Sequence, residues 1–257
     1  DYSTLPEGAT NLSVGYCLAA PRGPIGKAEL VTSPADFLSR FTLSGSPTIK
    51  DDKTFWSILQ VLKYTNQVYV SRVAKDVKFG GVAVKADAVT PLETGLDDPQ
   101  AYDFASNTGV KFALAGIDGG AEENKIGIEI VSYLDDEGKA QLVDLFDSEE
   151  DMKAVKPFII RVFEGATGNN LLEEFLVSMI DNAKAFDGSP MYIETVLANA
   201  SYIQGVFPLT ITDTEAPKGT TTRVMLGGGA NADINTLKAE DAIKALSVFE
   251  DKTVPIS

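Results

Sequence analysis

Histidine is absent from the 257-residue sequence, and cysteine occurs once, at Cys17. Without histidine the chain cannot form a Ser-His-Asp or Cys-His catalytic group, and it lacks the commonest metal ligand. A single cysteine cannot close an intramolecular disulfide or hold a metal cluster. Because Cys17 lies in the apolar run 14–19, we expect a buried structural thiol rather than a reactive one. Several common kinds of catalysis are therefore excluded.

Long apolar segments are also missing. No run approaches eighteen apolar residues, so no transmembrane helix is predicted. The sequence begins at Asp1 without a basic segment, so no signal peptide is predicted, and residues 253–257 have the pattern of a strand that has just begun. We therefore expect a piece of a longer polypeptide that has no membrane partner.

Acidic residues dominate the charge of the chain. There are 37 Asp and Glu against 22 Lys and Arg, which gives a formal net charge of −15. Such a surface repels phosphate backbones and anionic lipid, so binding to nucleic acid or to a membrane surface is not expected. Hydrophobic residues make up 44% of the chain, so a globular protein with a normal core is expected.

Acidic residues cluster at 97–98, 122–123, 135–137 and 148–151. None of the clusters has the EF-hand spacing, so solvated turns and helix caps are the favoured interpretation. A glycosidase would need two carboxylates about 5–10 Å apart in a cleft, which the sequence leaves open. A carboxylate-based hydrolase and a calcium-binding module therefore stay as alternatives. No catalytic, cofactor-binding or metal-binding residue is predicted.

Two glycine-containing segments could contact an anion. Residues 23–28 resemble a phosphate-binding loop, but the spacing differs and Ala28 stands where a magnesium-binding hydroxyl is needed. Backbone N–H groups at residues 227–229 could also face an anion, but a flexible connection between a strand and the last helix is the favoured interpretation. Nucleotide binding is therefore not expected, and no cofactor is predicted.

Hydrophobic patterning predicts a mixture of strands and helices. We predict strands at residues 12–20, 29–32, 68–73, 125–131, 158–164 and 172–178, the last two paired across a turn at 165–170. Helices are predicted after the N-cap Ser33, around residues 55–62, at 192–197 and at 237–250. Residues 135–138 are a predicted turn, and Ala242, Ala245, Leu246 and Phe249 are the predicted apolar stripe of the last helix. The fold class is α/β (α+β), with mixed sheets and packed helices.

Several of these segments, taken in order, resemble the tail sheath proteins of contractile-tailed bacteriophages. Residues 23–41 are similar to the family's Gly-Pro turn, short Val-Thr-Ser strand and following helix, although Thr42 replaces a glycine. Residues 55–73 are similar to its next helix and strand, with Gln67 in place of a small residue. Weaker similarities follow at residues 124–130, 158–162 with 174–178, and 225–229 with the helix from Leu237.

The resemblance implies a structural subunit of a contractile tail sheath, not an enzyme. Sheath subunits polymerise around a tail tube, and the lattice then contracts and drives the tube through the host envelope, with its energy stored in subunit contacts. The implied partners are other copies of the sheath protein, the tail tube protein, and baseplate and tail terminator proteins. The implied location is the virion, after assembly in the host cytoplasm.

The same resemblance implies two domains, the second inserted into the first. Residues 1–75 and 226–257 would belong to a conserved inner domain that is incomplete here, and residues 76–225 would form an inserted outer domain. Family subunits are linked by terminal arms that add strands to a neighbour's sheet, and we expect this chain to lack both arms. We therefore expect this chain to be a protease-resistant or truncated fragment that is monomeric. The alternatives are a sheath subunit of a type VI secretion or pyocin-like device, and a receptor-binding module on the outer domain.

Overall fold

A computed structural model describes residues 13–42, 53–231 and 237–250. Contacts within the chain divide it into two compact units: residues 1–77 with 231–257 form the first unit, and residues 78–230 form the second. At the edge of the second unit, Lys78 and Ala230 exchange backbone hydrogen bonds of 2.9 and 3.2 Å. Residues 226–230, which the sequence-based division assigns to the first domain, pair instead with the backbone of the second unit. The assignment of these units to inner and outer sheath domains stays a prediction.

The first unit is a three-stranded mixed sheet with helices against it. Its elements are β1 (Val14–Leu18), β2 (Ala28–Val31), α1 (Pro34–Phe41), α2 (Lys53–Val61), β3 (Val68–Arg72) and α6 (Ala239–Ser247). Strand β3 is central, parallel to β1 and antiparallel to β2. Helix α1 begins as predicted, because the Ser33 hydroxyl accepts a hydrogen bond from the Asp36 N–H and Pro34 opens the first turn.

Three phenylalanines form the centre of this unit. The ring of Phe37 lies 5.4 Å from that of Phe41 and 5.2 Å from that of Phe55, measured between centroids, and all three side chains are fully buried. Burying each ring contributes about 1.5–3 kcal/mol, so this cluster holds α1 and α2 together.

The second unit is built from two packed antiparallel sheets. Its strands are β4 (Gly81–Lys85), β5 (Val89–Pro91), β6 (Val110–Gly116), β7 (Ile126–Ser132), β8 (Phe158–Glu164), β9 (Leu171–Val177), β10 (Ile203–Val206) and β11 (Val224–Met225). The strand orders are β10-β6-β4-β5 and β11-β7-β8-β9. The main core lies between the sheets, where the rings of Phe112 and Phe158 stack 6.0 Å apart. The predicted pairing of β8 with β9 is confirmed.

Short helices complete the second unit. They are α3 (Asp136–Leu142), α4 (Glu149–Val155) and α5 (Ile193–Leu197), with single 3-10 turns between some elements. Buried Leu142 and Met152 pack α3 and α4 on Ile159, which lies on the face of β8 opposite the main core. No helix in the described ranges is long and apolar enough to cross a bilayer. The α+β class with mixed sheets and packed helices is confirmed.

Two local predictions are wrong. Residues 135–138 do not form a turn, because Asp135 is the N-cap of α3 and Asp136 and Glu137 lie in its first turn, where negative charge is favoured. In α6 the predicted apolar stripe is also shifted. Ala245 is buried, whereas Leu246 is 51% exposed, so the helix packs through its smaller side chain.

Candidate functional site

A row of charged side chains crosses the outer face of the sheet β11-β7-β8-β9. The strand register places Glu129 opposite Arg161, and Arg161 opposite Glu174. The guanidinium Nε of Arg161 lies 2.6 Å from a Glu174 carboxylate oxygen, and that of Arg223 lies 3.2 Å from Glu129. Because these cross-strand pairs satisfy one another, the row supports the sheet instead of leaving a charge ready for chemistry.

Arg223 is the most enclosed member of the row. Its side chain is 8% exposed, and its guanidinium carbon lies 3.6 Å from the centroid of the Phe163 ring. It also donates hydrogen bonds to the carbonyls of Gly165 and Gly168, at 2.9 and 3.1 Å. These contacts fix the turn between β8 and β9 and give Arg223 a structural role.

A polar cleft of about 410 Å³ lies beside this row. It is lined by Glu129, Ile130, Val131, Ser132, Asp135, Glu137, Gly138, Gln141, Arg161 and residues 219–222. Several of its polar groups already bind the backbone: Asp135 accepts a hydrogen bond from the Gly219 N–H at 2.6 Å, and the Thr220 hydroxyl accepts one from the Ile130 N–H at 3.0 Å. Those groups are occupied in holding residues 219–222 against β7.

Glu123 is buried, which contradicts its interpretation as a solvated acidic residue. Only 2% of it is exposed, and its carboxylate accepts hydrogen bonds from the backbone N–H groups of Gly80, Asp118 and Gly119 at 2.7, 2.9 and 2.6 Å. Burial raises the pKa of Glu123 to about 7, and the negative charge of Asp118 acts in the same direction. The carboxylate fastens the loop before it to the start of β4. No sequence pattern distinguishes it from its neighbour Glu122.

The other acidic clusters form caps and ion pairs. Asp98 accepts a hydrogen bond from the Gln100 N–H, and Ser148 caps α4 through the Asp151 N–H. Glu149 pairs with Lys139 and Lys153, and these hydrogen bonds lower its pKa to about 2. Within the described ranges, no group of three or more His, Cys, Asp or Glu is placed to hold a metal ion. The prediction of helix caps is confirmed for the cluster at 148–151.

The turn that leads into the segment similar to a phosphate-binding loop surrounds a buried cation. Arg72, which is 3% exposed, donates hydrogen bonds to the carbonyls of Ala20, Pro21 and Gly23 at 2.8, 3.0 and 3.2 Å. An anion cradle would instead need N–H groups that converge. These carbonyl oxygens are instead occupied by the guanidinium of Arg72.

The glycines at 227–229 do not form the flexible connection that the sequence favours. Gly227 pairs with Gly81 through backbone hydrogen bonds of 2.8 and 3.0 Å. Gly228 has φ of +82°, and a Cβ there would lie 2.7 Å from the carbonyl carbon of Thr94. Glycine is needed at these positions because backbone segments approach too closely for a side chain.

Cys17 lies in β1 and is half-buried. Burial raises the pKa of its thiol, which lowers the thiolate fraction at neutral pH. The interpretation as a structural rather than a reactive thiol agrees with this environment.

Charge is distributed unequally between the two units. The second unit contains 25 acidic and 11 basic residues, a net charge of 11 − 25 = −14. The first unit contains 12 acidic and 11 basic residues, a net charge of 11 − 12 = −1. Nearly all of the excess negative charge therefore belongs to the second unit.

No family model matches the chain, and no curated protein sequence matches it. Among solved structures, the sheath tail protein of Listeria innocua aligns with a TM-score of 0.53 and 15% identity, over 94% of this chain and 38% of that one. The chain shares its fold with part of a sheath tail protein. A second sheath tail protein, from Desulfitobacterium hafniense, aligns with a TM-score of 0.49 and 15% identity, over 98% of this chain and 42% of that one. The chain spans about two fifths of the length of the structures it matches.

Proposed function

We propose that the chain is a structural subunit of a contractile tail sheath. The observation that carries the proposal is the sheath-like fold, which extends over 94% of the chain at a TM-score of 0.53. Asp135 and Thr220 in the polar cleft agree with it, because their side chains hold residues 219–222 against β7. In this role the protein works through contacts between copies and not through catalysis. It needs neither nucleotide hydrolysis nor a bound metal.

The two units would have different places in the sheath. The first unit, with a net charge near zero, would form the inner part that packs on other copies and faces the tube. The second unit, with a net charge of −14, would lie on the outside with most of its surface in solvent, where hydration offsets its self-repulsion. The tail tube, baseplate and terminator proteins would be the other partners. Contraction would be a switch of the lattice between two sets of subunit contacts.

A related injection device of the type VI secretion or pyocin kind would use the same fold and the same arrangement of units. The experiment that tests the role is electron microscopy of particles purified from cells that express the chain in its natural setting. A density map of the intact particle should accept this fold in repeated positions around a central tube. Density that holds the fold singly, or at a fibre or receptor-binding position, would contradict the proposal.

A further inference from the structure

The solvent-facing side of α2 and of the turn after it differs from the rest of this acidic chain. Lys53, Trp56, Gln60, Lys63 and Tyr64 follow one another at helical spacing and are exposed, and the set contains no acidic residue. Trp56 is 47% exposed and Tyr64 is 87% exposed. We call these five residues the α2 surface. It combines two positive charges with two large aromatic side chains.

The α2 surface is held in place by the core beneath it. The ring of Trp56 makes an edge contact with buried Phe55, with 5.6 Å between centroids, and Lys63 donates a hydrogen bond of 3.0 Å to the Gln60 side chain. Tryptophan and tyrosine are enriched at protein interfaces, because they bury much area while few torsions are fixed. A preformed cationic and aromatic surface therefore fits an acidic protein partner with apolar side chains.

The second unit carries a surface with these complementary properties. Residues 134–151, which include α3 and the first turn of α4, contain eight acidic residues and one basic residue. Leu134 and Leu145 are 41% and 44% exposed within this segment. We call residues 134–151 the acidic layer. Its net charge of −7 and its two exposed leucines match the lysines and aromatic rings of the α2 surface.

We propose that the α2 surface of one copy of this chain docks on the acidic layer of a second copy. The two surfaces are different, so the contact is heterologous and each copy keeps one of each surface available for a further neighbour. Repetition of such a contact joins copies head to tail, into a ring or an open row according to the rotation between neighbours. The inference rests on the proposed sheath function, to which it adds a specific contact between subunits.

The contact is small, which sets its strength. A pair of side-chain clusters of this size falls below the area of a standard stable interface, so we expect dissociation constants on the order of 0.1–1 mM. The chain is therefore monomeric at micromolar concentration and associates only when it is concentrated. Because the attraction is between exposed charges, it weakens as salt shortens the screening length from about 30 Å at 0.01 M to about 10 Å at 0.1 M.

Sedimentation equilibrium of the chain at up to about 1 mM and low salt tests the contact with a complementation design. The variant K53E/K63E reverses the charge of the α2 surface, and the variant D144K/D147K reverses part of the acidic layer. Each variant alone should associate at least tenfold more weakly than the unmodified chain, since the two surfaces repel in K53E/K63E and the net charge of the acidic layer falls from −7 to −3 in D144K/D147K. An equimolar mixture should recover association, because the intact α2 surface of one variant meets the intact acidic layer of the other. The matched control K27E/K244E makes the same charge change at exposed lysines elsewhere in the first unit.

The outcomes separate cleanly. Recovery in the mixture, with the control within about twofold of the unmodified chain, supports the contact. The contact is overturned if the variants lose association and the mixture does not recover it, or if the control loses association equally. It is also overturned if the unmodified chain does not associate at 1 mM. None of those three results bears on repeated density around a tube in the intact particle, so the sheath function can fail or survive independently.

Discussion

Replacing Glu123 by glutamine should remove most of the pH dependence that this residue gives to the stability of the second unit. The carboxylate is 2% exposed, and its pKa in the folded protein is raised to about 7 from an ordinary value of 4.5. Between these two values the folded chain holds a proton that the unfolded chain has released. The free energy of unfolding is therefore highest below pH 4.5 and falls as the pH rises through 7.

The size of this effect follows from the same values. At about 1.4 kcal/mol per pH unit, the interval from 4.5 to about 7 corresponds to about 3 kcal/mol. Glutamine keeps one oxygen for the N–H groups of Asp118 and Gly119 but presents an amide nitrogen to the N–H of Gly80. The loss of that hydrogen bond should cost about 1–3 kcal/mol at every pH. The variant should therefore be less stable than the unmodified chain at pH 5 and should match or exceed it at pH 8.

Urea unfolding at several pH values between 4.5 and 8, followed by far-ultraviolet circular dichroism, measures this difference. Trp56 is the single tryptophan and lies in the first unit, so its fluorescence reports that unit separately in the same sample. The control Glu93→Gln changes an exposed carboxylate of the second unit and should keep the pH dependence of the unmodified chain. If the free energies of unfolding of E123Q and the unmodified chain differ by the same amount from pH 5 to pH 8, the reasoning is refuted.

Three further predictions concern packing and reactivity. Gly228→Ala should lower the free energy of unfolding by more than about 2 kcal/mol, because residue 228 has a positive φ and lies against neighbouring backbone. Gly168→Ala should lower it by about 1 kcal/mol, because residue 168 also has a positive φ but has open space around it. Urea titrations compare the two variants. Phe55→Ala should cost about 3–5 kcal/mol and shift the fluorescence transition to lower urea, and an unchanged midpoint would contradict the phenylalanine cluster as the core of the first unit. Cys17 should react with a maleimide at pH 7 more slowly in the folded chain than in urea, and equal rates would show that its thiol is not protected.

Local signals predicted much of the first unit. Ser33 and Pro34 define the beginning of α1, and the spacing of Phe55 and Ile58 gives the buried side of α2. These features depend on residues close together in the sequence, so they can be read without knowing the fold. The β8–β9 pair was predictable for the same reason, since a short turn connects its two strands.

Features that depend on distant residues could not be predicted. The pairing of Glu129 with Arg161 and Arg223 depends on strand register, which no local pattern reveals. The burial of Glu123 depends on the N–H of Gly80, a residue of another strand region. Helices α3 and α4 are seven residues each and bury few apolar side chains, so their periodicity is too weak to distinguish them from acidic turns.

The paired backbone at Lys78 and Ala230 has a consequence for folding. Two residues that exchange hydrogen bonds across an antiparallel bridge have Cα atoms only about 5 Å apart. Once residues 78–230 have folded, the segments on either side of them are therefore already neighbours. Assembly of β3 and α6 in the first unit then no longer carries the entropy cost of closing a long, flexible loop. This geometry favours a folding order in which the second unit folds first. It then acts as a short connection between the two segments of the first unit.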